Sequence, residues 1–179
     1  MGVTLLAFGW GFAEATLFFV VADVVISIVG VRRGRRAALW AALAAAAGAT
    51  VGGICIALWA RYCPDAALDV IQSVPAISET MVGDLRNDLD GGVAVALLVA
   101  SVTGVPYKIG AVLAPAAGIP IWQLALLTPM VRLPRFTAAA VGGALLRRWT
   151  PRMSDRGRIA LLGTGWSIFY AVYWTITPN

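Results

Sequence analysis

Ser101 to Phe136 reads SVTGVPYKIGAVLAPAAGIPIWQLALLTPMVRLPRF. The stretch is too apolar for a surface loop and holds too many prolines and glycines for one clean helix. It nevertheless carries Lys108, Arg132 and Arg135, in surroundings that ordinarily exclude charge. A broken apolar segment with cations inside it has something anionic to hold. Pro106, Pro115, Pro120, Pro129 and Pro134 are expected to interrupt its helices, since proline removes a backbone donor and clashes with the preceding turn.

Composition puts this stretch in lipid. Of 179 residues 60% are hydrophobic and only 13% charged, about half the charged share of a soluble domain, and the mean hydropathy is +0.82. So short a soluble fold could not hide that much apolar surface. The length suits one membrane domain. There is no histidine, which removes imidazole bases, His-ligated metals and the usual Ser-His-Asp triad. Cys55 and Cys63 match no zinc or redox spacing, and Cys55 is expected to be a small packing residue. No cofactor or metal is implied.

The net charge of +5 does not suggest nucleic acid. Its arginines fall into two clusters, Arg32 to Arg36 and Arg147 to Arg158, which flank long apolar runs where positive charge reports topology. Both loops, 32–36 and 147–158, are therefore expected in the cytoplasm, with the chain multi-pass in a membrane. No basic residue precedes Arg32, so Met1 to Val31 lacks the pattern of a signal peptide and reads as part of the mature fold.

Taken in order, residues 1–60 hold a first repeat. Met1 to Val31 carries Glu14 and Asp23 and reads either as one tilted span or as a re-entrant hairpin; two carboxylates nine residues apart favour the hairpin. Ala37 to Trp59 is a transmembrane helix, with Gly48, Gly52 and Gly53 spaced for close helix packing. Residues 61–90 carry six acidic groups against two basic ones and read as a solvated outer loop with a short interfacial helix over Val70 to Met81. Residues 91–148 form a second repeat. Its length fits either three short crossings or one hairpin plus one span; the hairpin version breaks at Thr103–Gly104–Val105–Pro106 and crosses the membrane from about Ile119 to Leu146. Residues 159–176 form a last span whose Trp166, Tyr170, Tyr173 and Trp174 read as interface anchors. The fold class is thus all-α and polytopic: two inverted-topology repeats, each a re-entrant hairpin plus a transmembrane helix, and a C-terminal transmembrane helix. The hairpins are expected to close on Ile28–Val29–Gly30–Val31 and on Ala116–Ala117–Gly118–Ile119.

These residues resemble a family. Glu14-x-x-Leu17-Phe18-Phe19, then Asp23 and Gly30, look like the first re-entrant motif of the DedA family (VTT, or SNARE-associated Golgi protein-like). Thr103 to Lys108, then Gly118, Arg132 and Arg135–Phe136, look like the second, and Pro106–Tyr107–Lys108 is closest to the small YqaA-like bacterial subgroup. The resemblance spans roughly Phe12 to Arg148. It implies a polytopic inner-membrane protein that moves or scrambles lipids, polyprenyl phosphates or phospholipids, in some members at the expense of the proton gradient.

The chemistry can also be argued without the family. Arginine presents a planar fork that holds phosphate oxygens bidentately, and lysine presents a point charge. Arg132 is the expected main phosphate ligand, with Lys108 and Arg135 supporting it. Backbone N–H groups at half-helix N-termini would add donors. Glu14 and Asp23 would neutralise the cations when the site is empty and exchange a proton during transport. Tyr107 and Thr103 are candidate polar liners. The expected partners are a lipid phosphate headgroup, the membrane and, for a homo-oligomer, a second copy of the chain. The alternatives are a lipid-phosphate-modifying enzyme and a membrane assembly factor that transports nothing.

Overall fold

The computed structural model describes residues 2–176, apart from the side chain of Val102. Among the described residues the backbone forms nine helices and no strand. They are α1 (Gly2–Ala15), α2 (Asp23–Arg33), α3 (Arg35–Tyr62), α4 (Pro64–Gln72), α5 (Glu79–Gly91), α6 (Val93–Thr103), α7 (Tyr107–Leu113), α8 (Ile121–Trp149) and α9 (Asp155–Ile176).

Three of these, α3, α8 and α9, are long and apolar enough to cross a membrane. With 28, 29 and 22 residues, they measure about 42, 43 and 33 Å against a hydrocarbon core of about 30 Å. α1, α2, α6 and α7 are each too short to do so alone.

The core is built from small residues. Along α3, Ala38, Ala41, Ala42, Ala45, Ala49, Gly52 and Gly53 recur at helical spacing and are buried. α1 packs along this face. A Cβ on Gly48 would run into the Phe8 carbonyl, and one on Gly11 into the Ala45 carbonyl, so here the helices meet backbone to backbone. On the other side of the bundle α2 and α8 meet the same way. A Cβ on Gly30 would sit 2.9 Å from the Ala140 carbonyl oxygen, and one on Gly143 would strike the carbonyl of Ser27. Arg147 Nη1 donates to the Arg32 carbonyl at 2.5 Å, which puts the two arginine clusters on one end of the molecule.

Several local expectations need correction. Ile28 to Val31 do not form a turn. They lie inside α2, and Gly30 serves close packing instead. The chain reverses earlier, over 16–22, where Phe18 N–H reaches back to the Ala13 carbonyl at 2.8 Å and Trp10 Nε1 donates to the Val20 carbonyl at 3.0 Å. The later turn falls where expected, with Gly118 at φ +69°, a left-handed conformation suited to glycine. The break at Gly104 (φ +89°) also matches.

Pro129 and Pro134 do not interrupt α8. Each removes only one internal hydrogen bond, freeing the carbonyls of Ala125 and Met130, a loss that packing by neighbouring elements can absorb. Residues 61–90 are not a loop with one helix. Pro75 splits the apolar pattern into α4 and α5, and α5 begins at Ser78, whose Oγ accepts from Met81 N–H at 3.3 Å. Ile71, Val82, Leu85 and Leu89 are buried in the core while all six acidic side chains stay exposed. Cys55 lies on the outer face of α3 instead of packing.

Candidate functional site

The reversal between α1 and α2 leaves backbone polar groups inside an apolar protein, and they must be paired. Glu14, in the last turn of α1, accepts from Ala22 N–H through Oε2 at 3.0 Å. Tyr170 of α9 accepts from Val21 N–H at 2.8 Å. Lys108, near the start of α7, donates to the Phe18 carbonyl at 2.7 Å. The break is thereby clamped by side chains from α1, α7 and α9.

The second oxygen of Glu14 points the other way, into an ion pair with Arg132 Nη2 of α8. Arg135 Nη2 lies 3.5 Å from the same oxygen and 2.5 Å from Asp23 Oδ2. Glu14, Asp23, Lys108 and Arg132 are all buried, at 7, 3, 3 and 2% exposure. The guanidinium of Arg132 is also sandwiched, with its carbon 5.4 Å from the Tyr107 ring centre and 5.0 Å from that of Phe136, within range of cation–π attraction. Tyr107 hydroxyl in turn hydrogen-bonds Thr128, and Thr128 Oγ1 donates to the Leu124 carbonyl at 2.7 Å. The ring holding Arg132 is itself held.

All five charged residues named from the sequence therefore converge, although Glu14 and Arg132 stand 118 positions apart. Lys108 is held by a backbone carbonyl. Glu14 and Tyr170 accept from Ala22 and Val21 N–H, just ahead of α2. Thr103 donates within its own helix, to Val99 and Ala100.

Three cations face two carboxylates, which leaves one positive charge in excess. Several polar atoms remain unused: Asp23 Oδ1 and the Nε atoms of Arg132 and Arg135 have no hydrogen-bond partner. Buried ion pairs cost desolvation that is recovered fully only when every group is satisfied.

A cavity of about 810 Å³ opens onto it. One end is lined by Pro75, Thr103, Gly104 and Pro106, the middle by the five charged residues, and the other end by Gly142, Leu146, Leu161 and Leu162. α9 forms one wall. Its aromatic residues, expected as interface anchors, hold it to the bundle: Trp166 Nε1 donates to Ser27 Oγ at 3.2 Å and Tyr173 hydroxyl to the Gly104 carbonyl at 3.3 Å. The sequence offered no signal for these pairings, because two of the three aromatic partners are backbone groups.

Three helices long and apolar enough to cross a membrane, with an ion cluster buried between helices, point to a membrane protein that carries charged groups inside it. No family model, curated protein or solved structure matches the chain.

Proposed function

We propose that this protein moves a lipid phosphate, a polyprenyl phosphate or a phospholipid, across the membrane as a flippase or scramblase, with proton exchange at Glu14 or Asp23. The observation that carries the reading is the Arg132–Glu14–Arg135–Asp23 cluster on the wall of a large cavity. A phosphate entering there exchanges with Glu14 on the Arg132 fork, while Lys108 and Arg135 share its charge. Glu14, displaced, becomes the group that takes up a proton. Its return releases the headgroup.

The repeat architecture belongs to the same proposal. α1 runs alongside α3 in the same sense, since Gly48 lies against Phe8 and Gly52 against Phe12. α2 then returns to the end where Arg32 meets Arg147. This supports a first re-entrant hairpin that enters and leaves at the arginine-rich face. α6 and α7, separated by the Gly104 break, supply the second from the opposite face. The motif resemblance to the DedA family agrees with this plan, as does the placement of the arginine-rich loops in the cytoplasm.

The test is transport in liposomes holding labelled polyprenyl phosphate or labelled phospholipid, with and without a pH gradient. The native protein should move one of them. Arg132→Gln should abolish movement at normal membrane abundance, and Glu14→Gln or Asp23→Asn should abolish its dependence on the gradient. Release of free phosphate would make the protein an enzyme on the same lipids. Full biological activity in Arg132→Ala would leave it an assembly factor.

A further inference from the structure

The charged cluster fills only the middle of the cavity. Beyond Arg135 the cavity continues between α8 and α9, past Gly142 and Leu146 on one side and Leu161, Leu162 and Gly165 on the other. These residues are apolar, and the hydroxyl that lines the cavity beside them, Ser27 Oγ, is already bonded to the Val24 carbonyl and to Trp166 Nε1. From Arg135 to Leu146 the helix rises about 16 Å, roughly half of the 30 Å hydrocarbon thickness.

The glycines of this arm are unlike those of the core. Gly143 is required by packing, because a Cβ there would strike the Ser27 carbonyl. Its neighbour Gly142 is not, and neither is Gly165: a Cβ at either position would meet nothing within 4 Å. Glycine is the poorest helix former after proline, and at these two positions it gains no helix contact in return. What it leaves is room in the cavity. At the head of the arm the buried guanidinium nitrogens Arg132 Nε and Arg135 Nε have no hydrogen-bond partner, and neither has Asp23 Oδ1. A cationic centre continued by an apolar arm is the negative image of an anionic amphiphile.

We infer that the arm seats the hydrocarbon chain of the substrate, and that Gly142 and Gly165 hold it open. The inference rests on the lipid-phosphate reading and adds that chain and head are bound together, so the protein selects a long-chain phosphate over a free one. The order of the cavity also sets the substrate's direction: head towards Gly104 and Pro75, chain towards the arginine-rich end.

Photolabelling tests it, using dodecyl phosphate that carries a diazirine either beside the phosphate or at the chain end, on the intact protein in nanodiscs. Labelled residues are read by mass spectrometry, with unlabelled dodecyl phosphate and inorganic phosphate as competitors. The head probe should label around Tyr107 and Arg132, and the chain-end probe around Leu146, Leu161 and Leu162. Inorganic phosphate should compete far more weakly than dodecyl phosphate. Gly142→Leu and Gly165→Leu should each lower chain-end labelling roughly tenfold, equivalent to losing the burial of about two methylenes, while Gly163→Leu, outside the cavity, should leave it unchanged. Head labelling without chain-end labelling in the arm overturns this inference and leaves the phosphate site standing. Equal competition by inorganic phosphate also overturns it. Absence of any labelling that dodecyl phosphate competes away overturns the lipid-phosphate reading itself. If a leucine variant does not accumulate, the labelling map of the native protein and of Gly142→Ala decides.

Discussion

α1 and α9 are both attached to the same bundle, by opposite means. α1 lies on α3 with backbone touching backbone across Gly11 and Gly48. α9 has none of its apolar window buried and reaches α2 and the two chain breaks through hydrogen bonds of Trp166, Tyr170 and Tyr173. The first contact leaves no space and tolerates no change of size. The second spans a cavity with a few directional bonds, each of which can be given up alone. The proposed transport would use both, one wall that fixes the charges and one wall that can part from them.

The sharpest way to break this comparison is Gly48→Leu. A side chain there must displace the Phe8 carbonyl, and overpacking against backbone should cost about 3 kcal/mol or more. The variant should fail to give monodisperse protein in size-exclusion chromatography, and a well-folded Gly48→Leu would mean that α1 also sits loosely. Next in size is Glu14→Gln. Leaving Arg132 buried without its counter-charge should cost about 3 kcal/mol, read as a fall in thermal midpoint. Glu14→Gln combined with Arg132→Gln should cost less than the sum of the two single changes, because the orphaned charge is then gone. Additive losses would show that the pair is not coupled. Smaller still is Tyr170→Phe, which takes the acceptor from Val21 N–H. A loss of about 1 kcal/mol should speed amide exchange in α9 and at 16–22 while α1 and α3 stay protected. Faster exchange throughout would show that α9 is not separable. The smallest effect belongs to Asp155→Ala: Asp155 is exposed, and Arg158, though buried, keeps its hydrogen bonds to the Thr150 carbonyl and hydroxyl, so the loss should stay within about 1 kcal/mol and the thermal midpoint should barely move.

What the sequence made legible follows the same division. α3, α8 and α9 stand out because an apolar run of sufficient length has few other readings. The charged site stands out because Glu14, Asp23, Lys108, Arg132 and Arg135 are scarce in such a background. Glycine and proline were harder to read. Gly30 looks like a turn and is a packing contact, since both uses call for a missing side chain. Pro134 looks like a break and lies inside a helix, because surrounding packing decides whether one lost bond ends it. The acidic segment hid its structure because its solvent face supplies nearly all its charge, while Ile71, Leu85 and Leu89 fold inward. Least legible were the partners of Lys108 and Tyr170. They are a carbonyl and an amide of the main chain, and no letter records where the backbone is left open.

Glu14 also bears on how the protein is made. Its ion-pair partner Arg132 follows it by 118 residues, and at about 5–20 residues per second synthesis takes on the order of ten seconds to cover that distance. Through this interval Glu14 and Asp23 have left the ribosome and the arginines that neutralise them have not. In a bilayer the first half of the chain would have to wait with its carboxylates in water, protonated or shielded, and settle into lipid only when α8 arrives. The ion cluster would thereby set the order of assembly.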